Sequence, residues 1–313
     1  MSCVGELGIT AITDCEIVIN QQLHAFIPSD LINKYFLFYG IKTQKKYIES
    51  IATKTAVPYL NKNNCNSISI PLPSIAEQEK IASFLGAIDT RLTQLRRKHK
   101  LLQTYKRGVM QKIFSQEVRF KGAIGSEFPE WDKKKLGDIC NYLNGKSYEE
   151  DIVEVGEYYL ITLNSVDIDG NLKSDHKKID FTDNSLKQGD LVMVLSDVAH
   201  GNFLGRTNII PSNYYVLNQR MGALKPKIKV NTHFLIRYIN HSQRYFKLHG
   251  QGSSQKNLSK GDVLNFSVHF PTLVEQEKIA DFLTAIDQKI EAVARQVDRT
   301  EQFKKGLLQK MFV

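Results

Sequence analysis

Apolar side chains recur at steps of four and three residues in two long stretches of the chain. The stretches begin with PSIAEQEKIASFLGAIDTRL at residues 73–92 and PTLVEQEKIADFLTAIDQKI at residues 271–290, which lie 198 residues apart. The apolar positions are Ile81, Leu85, Ile88, Leu92 and Leu95 in the first copy, and Ile279, Leu283, Ile286, Ile290 and Val293 in the second. A period of 3.5 residues is typical of a coiled-coil seam. The repeat therefore predicts two long helices that pair with each other.

Polar residues interrupt this seam in both copies. They are His99 and Lys106 in the first copy and Thr300 and Lys304 in the second. Polar groups at seam positions tend to fix the register of a coiled coil at some cost in stability. About 40 helical residues at roughly 1.5 Å each make a rod of about 60 Å. An ordinary amphipathic core helix is the alternative, but the length and the narrow seam favour the rod.

The offset of 198 residues is kept, within one residue, upstream of the predicted helices. Gly8-Ile9-Thr10 resembles Gly205-Arg206-Thr207, and Asn20-Gln21 falls on Asn218-Gln219. The repeated unit is therefore a globular domain followed by a helix. In this alignment Met1 corresponds to about position 199, so the first unit lacks a counterpart of roughly residues 136–198.

Hydrophobic patterning predicts mixed secondary structure in both globular units. In the first unit it predicts strands at residues 9–12, 16–23 and 68–72 and a helix at 30–47. In the second it predicts strands at 158–163, 178–181, 191–195, 214–217, 221–225 and 263–270 and a helix at 232–248. We expect a mixed α/β fold with two globular domains at residues 1–72 and 122–270, each followed by a helical segment at residues 73–121 and 271–313.

The charge of the chain is uneven. The formal net charge is +9, and residues 91–121 alone hold ten Lys/Arg against one acid, Glu117. A basic rod suits a polyanionic partner, whereas a solvated helix face is the alternative. There is no apolar run of membrane-spanning length and no signal-peptide pattern at the N-terminus, so we expect a cytoplasmic protein.

No catalytic or metal site can be assembled from the sequence. Four scattered cysteines form no ligand pattern. The GKS at residues 145–147 lacks the glycine that a phosphate-binding loop needs at position 140. Asp190 and Asp197 are more typical of turns than of a metal pair, and His200 has no nucleophile or second base nearby in sequence. We expect no catalytic residues and no bound metal.

Polar, glycine-bearing loops separate the predicted strands of the second unit. They lie at residues 196–202, 213–215 and 251–257 and are rich in Asn, Gln, Ser, Lys and Tyr. Such side chains can donate to base edges and phosphates, and glycine allows close backbone approach. Solvent-exposed turns are the alternative interpretation.

The combination of motifs resembles the specificity subunit of type I restriction–modification systems. It comprises the repeated helix that starts EQEKIA, LGDI at 136–139, KQGDL at 187–191 and SSQKNL at 253–258. The resemblance implies target-recognition domains that each read one half of a split DNA site, joined by two helices in an antiparallel coiled coil. It implies methyltransferase and restriction (translocase–nuclease) subunits as partners. S-adenosylmethionine, ATP and Mg²⁺ would then belong to those partners, with no cofactor in this chain.

Family members carry two complete recognition domains, whereas the first domain here matches the C-terminal half of one. An internal start codon, a recombined gene and a second chain that supplies the rest are three open explanations, the last of which adds a further partner. A structural coiled-coil adaptor without a DNA-reading role and a stand-alone nuclease or methyltransferase are the rival functions.

Candidate DNA contacts follow from the loops and the resemblance together. In the second domain they are His200, Asn202, Arg206, Tyr214, Tyr215, Arg220, Ser253, Ser254, Gln255, Lys256 and Asn257. In the first unit they are Lys54, Thr55, Tyr59 and Lys62, which align with Gly252, Ser253, Asn257 and Lys260.

Overall fold

Two compact units make up the protein in a computed structural model that describes residues 1–198 and 201–312. The first unit contains Met1–Gln103 and Gln288–Val313, and the second contains Thr104–Asp287. No helix among the described residues is both long and apolar enough to cross a bilayer.

The first unit is mostly helical. Its elements are α1 (Lys34–Thr43), α2 (Lys45–Ile51), α3 (Lys62–Asn66) and the first part of α4 (Ile75–Phe114). Asn33 caps α1, because its side chain accepts from the backbone N–H groups of Tyr35 and Phe36 at 2.9 and 3.1 Å. The predicted helix at 30–47 therefore starts at this cap, and it ends at Gln44 where α2 begins.

The three strands predicted in the first unit are wrong. Residues 9–12, 16–23 and 68–72 form no strand, and an isolated bridge between Ser2 and Leu23 is the one pairing within them. A strand needs a hydrogen-bonded neighbour along its length. Among the described residues these segments make only scattered contacts of that kind, such as those of Ser2 with Ile9 and of Cys3 with Gln22. Their apolar side chains, such as Val18, consequently remain exposed.

The second unit is a mixed α/β domain. Its strands are β1 (Asp132–Lys135), β2 (Cys140–Asn144), β3 (Tyr158–Ile161), β4 (Lys177–Ile179), β5 (Leu191–Val194), β6 (Ser196–Val198), β7 (Thr207–Ile209), β8 (Tyr215–Leu217), β9 (Met221–Pro226), β10 (Gln255–Asn257) and β11 (Ser267–Phe270). Its helices are α5 (Leu136–Ile139), α6 (Thr232–His241), α7 (Gln243–His249), α8 (Lys260–Leu264) and the first part of α9 (Leu273–Met311). Two short 3₁₀ turns lie at Ala123–Gly125 and Leu163–Ser165.

Four small sheets build this domain. An antiparallel sheet has the order β2-β9-β5-β7, and a second has the order β4-β3-β8 with β3 and β8 parallel. Two further pairs, β1–β11 and β6–β10, are antiparallel. Val192, Val194 and Ala223 from the first sheet and Ile161 and Leu217 from the second are fully buried in one cluster. The mixed α/β class predicted from the sequence is confirmed.

Most strand predictions in the second unit match the structure, with two corrections. The helix predicted at 232–248 divides at Ser242 into α6 and α7. The strand predicted at 263–270 begins instead within α8, because Ser259 and Asp262 form a capping box that starts a helix there. β1, β2, β6, β7 and β10 were not predicted.

The alignment of Met1 with position 199 is also wrong. Cys3 N–H donates to the Gln22 carbonyl at 2.9 Å, as Leu195 N–H donates to the Arg220 carbonyl at 3.0 Å. The bridge between Val4 and Tyr59 likewise matches the pairing of Ser196 with Asn257. Met1 thus corresponds to Met193. The following loop is shorter in the first unit, which hides this correspondence from an ungapped comparison.

The two long helices carry the predicted seam. α4 has 40 residues and α9 has 39. In the first unit Leu85 and Leu92 of α4 share a buried cluster with Val297 and Leu307 of α9. Of the other predicted seam positions, the structure buries Ile88, Leu95, Ile279, Leu283, Ile286 and Val293 and half-buries Ile81 and Ile290.

Ion pairs show that the helices run antiparallel. In the first unit Asp89 pairs with Lys304, and Arg96 pairs with Glu301 at 2.6 Å, so residue numbers rise on α4 as they fall on α9. In the second unit Lys106 pairs with Asp287 at 2.5 Å, which is the same contact displaced by the repeat offset. Two of the four polar seam residues, Lys106 and Lys304, therefore form ion pairs between the helices, in keeping with the register-fixing role that the sequence indicated.

Candidate nucleic-acid interface

Residues 196–198 and the polar loop at 251–257 lie side by side. β10 pairs with β6 so that Lys256 faces Asp197 and Gln255 faces Val198. The loop that precedes β10 closes on itself, because Gln251 and Asn257 exchange backbone hydrogen bonds of 3.0 and 2.8 Å. We call residues 196–198 and 251–257 together the polar ribbon. Ser253, Ser254, Gln255 and Lys256 lie on it, with the two serines exposed at its tip.

Gly252 makes the tight closure of the ribbon possible. Its φ is +115°, a conformation that side chains other than glycine rarely adopt. A Cβ at this position would also overlap the carbonyl oxygen of Gln255. The shape of the ribbon therefore depends on a glycine here.

Asn257 is tied into the ribbon by its own side chain. Its Oδ1 accepts from Ser196 Oγ at 2.7 Å and from Gln255 Nε2 at 3.0 Å. Lys256, by contrast, makes no ion pair among the described residues. A half-buried lysine held on a strand with its ammonium free is suited to meet a phosphate.

Arg220 and Asn202 flank the ribbon. The carbonyl of Arg220 accepts from Leu195 N–H, directly before β6, and the Arg220 side chain is exposed. Asn202 Oδ1 accepts from Lys247 Nζ at 2.9 Å. His200 lies outside the described residues, so nothing is stated of its position.

Tyr214 and Tyr215 belong to a different part of the unit. Tyr215 is the first residue of β8 and Tyr214 precedes it, whereas Arg220 lies beyond the end of β8. Tyr215 packs with Tyr159 and His176 at ring distances of 5.3 and 5.5 Å. Burial lowers the pKa of His176, which favours a neutral ring within this aromatic cluster. Tyr214 is exposed, so the pair does not join the polar ribbon.

A cationic cleft of about 280 Å³ adjoins the ribbon. Its lining includes Arg206, Gln243, Arg244 and Lys247. Arg206 Nε and Gln243 Nε2 are buried donors without a hydrogen-bond partner among the described residues. Burial lowers the pKa of the Arg206 guanidinium, and nearby carboxylates partly oppose this. Buried donors without partners in a cationic cleft are suited to an oxyanion such as a phosphate.

Gly201 connects the cleft to the ribbon. It lines the cleft, and a Cβ placed on it would lie 3.2 Å from Cδ of Lys256. The hydrogen-bond donors of the cleft therefore lie close to the side chain of Lys256.

The carboxylates considered as a metal pair have structural partners instead. Asp190 accepts from the backbone of Lys187 at 2.9 Å and pairs with Lys225 at 3.1 Å. Asp197 accepts from the backbone of Phe203 at 3.0 Å. Groups of three or more His, Cys, Asp or Glu that could hold a metal ion do not occur in the described part of the chain.

The first unit holds a loop of the same kind. Thr53 N–H donates to the carbonyl of Tyr59 at 2.9 Å, which matches the closure of Gln251 on Asn257. Lys54 and Thr55 lie exposed in this loop, and Lys62 is the first residue of α3. The alignment of these four candidates with the second unit thus has a structural counterpart.

Most of the chain matches a protein-family model. Residues 1–103 and 129–299 match the model described as Type I restriction modification DNA specificity domain. The chain belongs to this specificity family. Among curated relatives it is similar to the Type I restriction enzyme MjaVIII specificity subunit of Methanocaldococcus jannaschii, with 27% identity over 300 residues, 89% of this chain and 69% of that protein. The putative MjaX specificity subunit of the same organism is 27% identical over 289 residues, covering 88% of this chain and 67% of that protein.

Solved structures of specificity subunits share the fold. An S subunit from M. genitalium matches with a TM-score of 0.63 at 18% identity, covering 100% of this chain and 82% of that one. The HsdS subunit from Thermoanaerobacter tengcongensis matches with a TM-score of 0.52 at 20% identity, covering 89% and 69%. The resemblance of this chain to the specificity family, first seen in its motifs, is confirmed.

Sequence reasoning missed several side chains that line the cleft. Gln243, Arg244 and Lys247 line the cleft but were assigned only to a helix. The spacing of Gln243 and Lys247, four residues apart, places both on one helix face, and that signal was available. Their proximity to Arg206 was not, because it arises from packing between distant segments.

The basic segment at 91–121 is partly neutralised. Four of its ten cations form ion pairs: Arg96, Lys106, Arg119 and Lys121. The paired cations stabilise the fold, which leaves fewer of them for a polyanionic partner than the sequence suggested.

Proposed function

We propose that this chain is the DNA-reading subunit of a type I restriction–modification complex. The observation that carries the proposal is the polar ribbon, which brings residues 196–198 and 251–257 together beside a cationic cleft and exposes Ser253 and Ser254 at its tip. Amide and lysine side chains on such a ribbon can contact base edges, and the cleft can hold a backbone phosphate. The similar loop at residues 53–59 supplies a second reading surface for a split target.

The partners and chemistry follow from this role. Methyltransferase subunits dock along α4 and α9, restriction subunits join them, and the complex works in the cytoplasm. This chain selects the site, and its partners carry out catalysis with S-adenosylmethionine, ATP and Mg²⁺. Support comes from the family match and from the long helices, whose remaining basic side chains are exposed.

Two substitutions on the ribbon separate base reading from phosphate binding. Gln255→Ala is expected to weaken discrimination at one base position by about 1–3 kcal/mol. Lys256→Ala is expected to weaken binding to all sequences alike and to lower the salt slope by about one. Fluorescence anisotropy of the complex with methyltransferase subunits, titrated with labelled duplexes at several salt concentrations, measures both effects.

The matched control is Lys229→Ala, which removes an exposed lysine of the second unit outside the ribbon and the cleft. It should leave discrimination unchanged. If neither ribbon variant differs from this control, the ribbon is a solvent-exposed turn and the DNA-reading role assigned to it is wrong.

A further inference from the structure

A buried carboxylate in the second unit holds the chain segment that precedes β1. Glu275, at the start of α9, has no exposed surface. Its two carboxylate oxygens accept from Arg119 Nε and Nη2 at 3.1 and 2.8 Å. Trp131 Nε1 also donates to Glu275, at 3.0 Å. One carboxylate thus anchors both ends of residues 119–131.

The same segment covers the neighbouring surface. Phe120 packs edge-to-face on Phe282 of α9 with ring centroids 5.5 Å apart. Lys278 donates to the carbonyl of Lys121 at 2.6 Å. β1 then pairs with all four residues of β11. We call residues 119–135 the strap.

The surface of the second unit on which the strap packs is repeated in the sequence of the first unit. Glu77, Lys80 and Phe84 of α4 occupy the positions of Glu275, Lys278 and Phe282, and residues 69–72 occupy those of β11. We call residues 69–72 together with Glu77, Lys80 and Phe84 the bare face. The first turn of the long helix makes the same contact in both units. The side-chain oxygens of Gln78 and Gln276 each accept from the backbone N–H of a helix-capping asparagine, at 2.8 and 2.9 Å.

No strap covers the bare face among the described residues of the first unit. Glu77 is exposed and forms no ion pair there, and Phe84 is 44% exposed. Leu72 is 56% exposed, whereas its counterpart Phe270 under β1 is 9% exposed. Residues 69–72 pair with no strand. An unpaired edge with apolar side chains is a template for an added strand.

We propose that the bare face docks an extended segment of a second polypeptide with the chemistry of the strap. The segment carries an arginine that pairs with both oxygens of Glu77, and an aromatic residue that packs on Phe84. A tryptophan and a lysine-rich strand follow, and the strand pairs with residues 69–72. The internal repeat defines each of these contacts, and a bidentate Arg–carboxylate pair gives the docking its orientation. The inference does not depend on the DNA-reading role.

A synthetic peptide with the sequence of residues 117–139 tests this, labelled with a fluorophore and titrated into the full chain. Because the strap of the chain already fills its own site in the second unit, we expect one saturable site per chain. Glu77→Gln should weaken peptide binding about tenfold, as loss of a charged hydrogen-bond partner does. A peptide with Arg119→Ala should bind the unchanged chain equally weakly.

Glu79→Gln is the matched control, since Glu79 is exposed on the same helix and lies two residues away. It should leave peptide affinity unchanged. Hydrogen exchange should slow at residues 69–84 when the peptide is added. Absence of saturable binding, or equal affinity for the Glu77→Gln and Glu79→Gln chains, would refute the proposal. If the chain instead forms a dimer that Glu77→Gln dissociates, the occupant is a second copy and the proposal is also wrong.

Discussion

Replacing Glu275 by alanine is expected to lower the free energy of unfolding of the second unit by about 3–5 kcal/mol. The substitution leaves Arg119 without its carboxylate and the indole N–H of Trp131 without its acceptor. The hydrogen bond to Glu275 raises the pKa of Arg119. The guanidinium stays charged without that bond, because arginine is not deprotonated in proteins. Urea denaturation measures the effect, and fluorescence of Trp131, the one tryptophan in the chain, reports on this unit.

The repeat supplies an internal control for this experiment. Glu77→Ala removes the equivalent acid from the first turn of α4, where it is exposed. The first unit holds no tryptophan, so far-ultraviolet circular dichroism of its helices follows its unfolding. An acid near a helix N-terminus contributes about 0.3–1 kcal/mol through the helix dipole, and both variants lose that contribution. The difference between them isolates the buried contacts of Glu275. Equal destabilisation by the two substitutions would show that those contacts stabilise nothing.

Gly252→Ala is expected to weaken target discrimination by the second unit while leaving it folded. The added Cβ overlaps the carbonyl of Gln255, and φ of +115° is strained for alanine. The loop must open, which displaces Gln255 and Lys256 together. Loss of the Gln255 contact should cost about 1–3 kcal/mol of discrimination, and loss of the Lys256 contact should weaken binding to all sequences alike. Competition between target and non-target duplexes for the complex measures this loss.

Gly261→Ala is the control for Gly252→Ala. It lies on α8, where the nearest atom to an added Cβ is 3.6 Å away and φ is helical in sign. The Gly261→Ala variant should discriminate between target and non-target duplexes as well as the unchanged chain does. Thermal unfolding of both variants should remain close to that of the unchanged chain. Full discrimination by Gly252→Ala would mean that the closed form of the loop is not needed for reading.

Local periodicity made the long helices predictable from the sequence. The seam from Leu85 to Leu95 and its repeat follow from spacing alone, because a helix is defined by contacts between near neighbours. Lys106 and Lys304 were recognised in the sequence as polar interruptions of the seam, and both form ion pairs in the structure. The identity of their partners, Asp287 and Asp89, depends on antiparallel pairing, which the resemblance supplied.

Long-range pairing explains what the sequence left out. β6 and β10 are far apart in the chain, so their loops could be predicted as polar but not as neighbours. The strands predicted at 9–12 and 16–23 are wrong for the opposite reason. Their apolar pattern is that of a strand, but no partner strand runs along these segments in the described part of the chain. The correspondence of Met1 with Met193 rests on hydrogen bonds, such as that of Cys3 to Gln22, which no ungapped alignment contains.

Methylome sequencing tests the reading role of the polar ribbon most directly. Cells lacking other methyltransferases would express the methyltransferase subunit with this chain, without it, with Gln255→Ala or with Gly252→Ala. We expect one split motif that requires the chain, and we expect Gln255→Ala to relax a single base in one half of that motif while the other half and the spacing stay unchanged. Methylation at the same motif without the chain, or an identical motif with Gln255→Ala and with Gly252→Ala, would contradict the assignment of sequence reading to this surface.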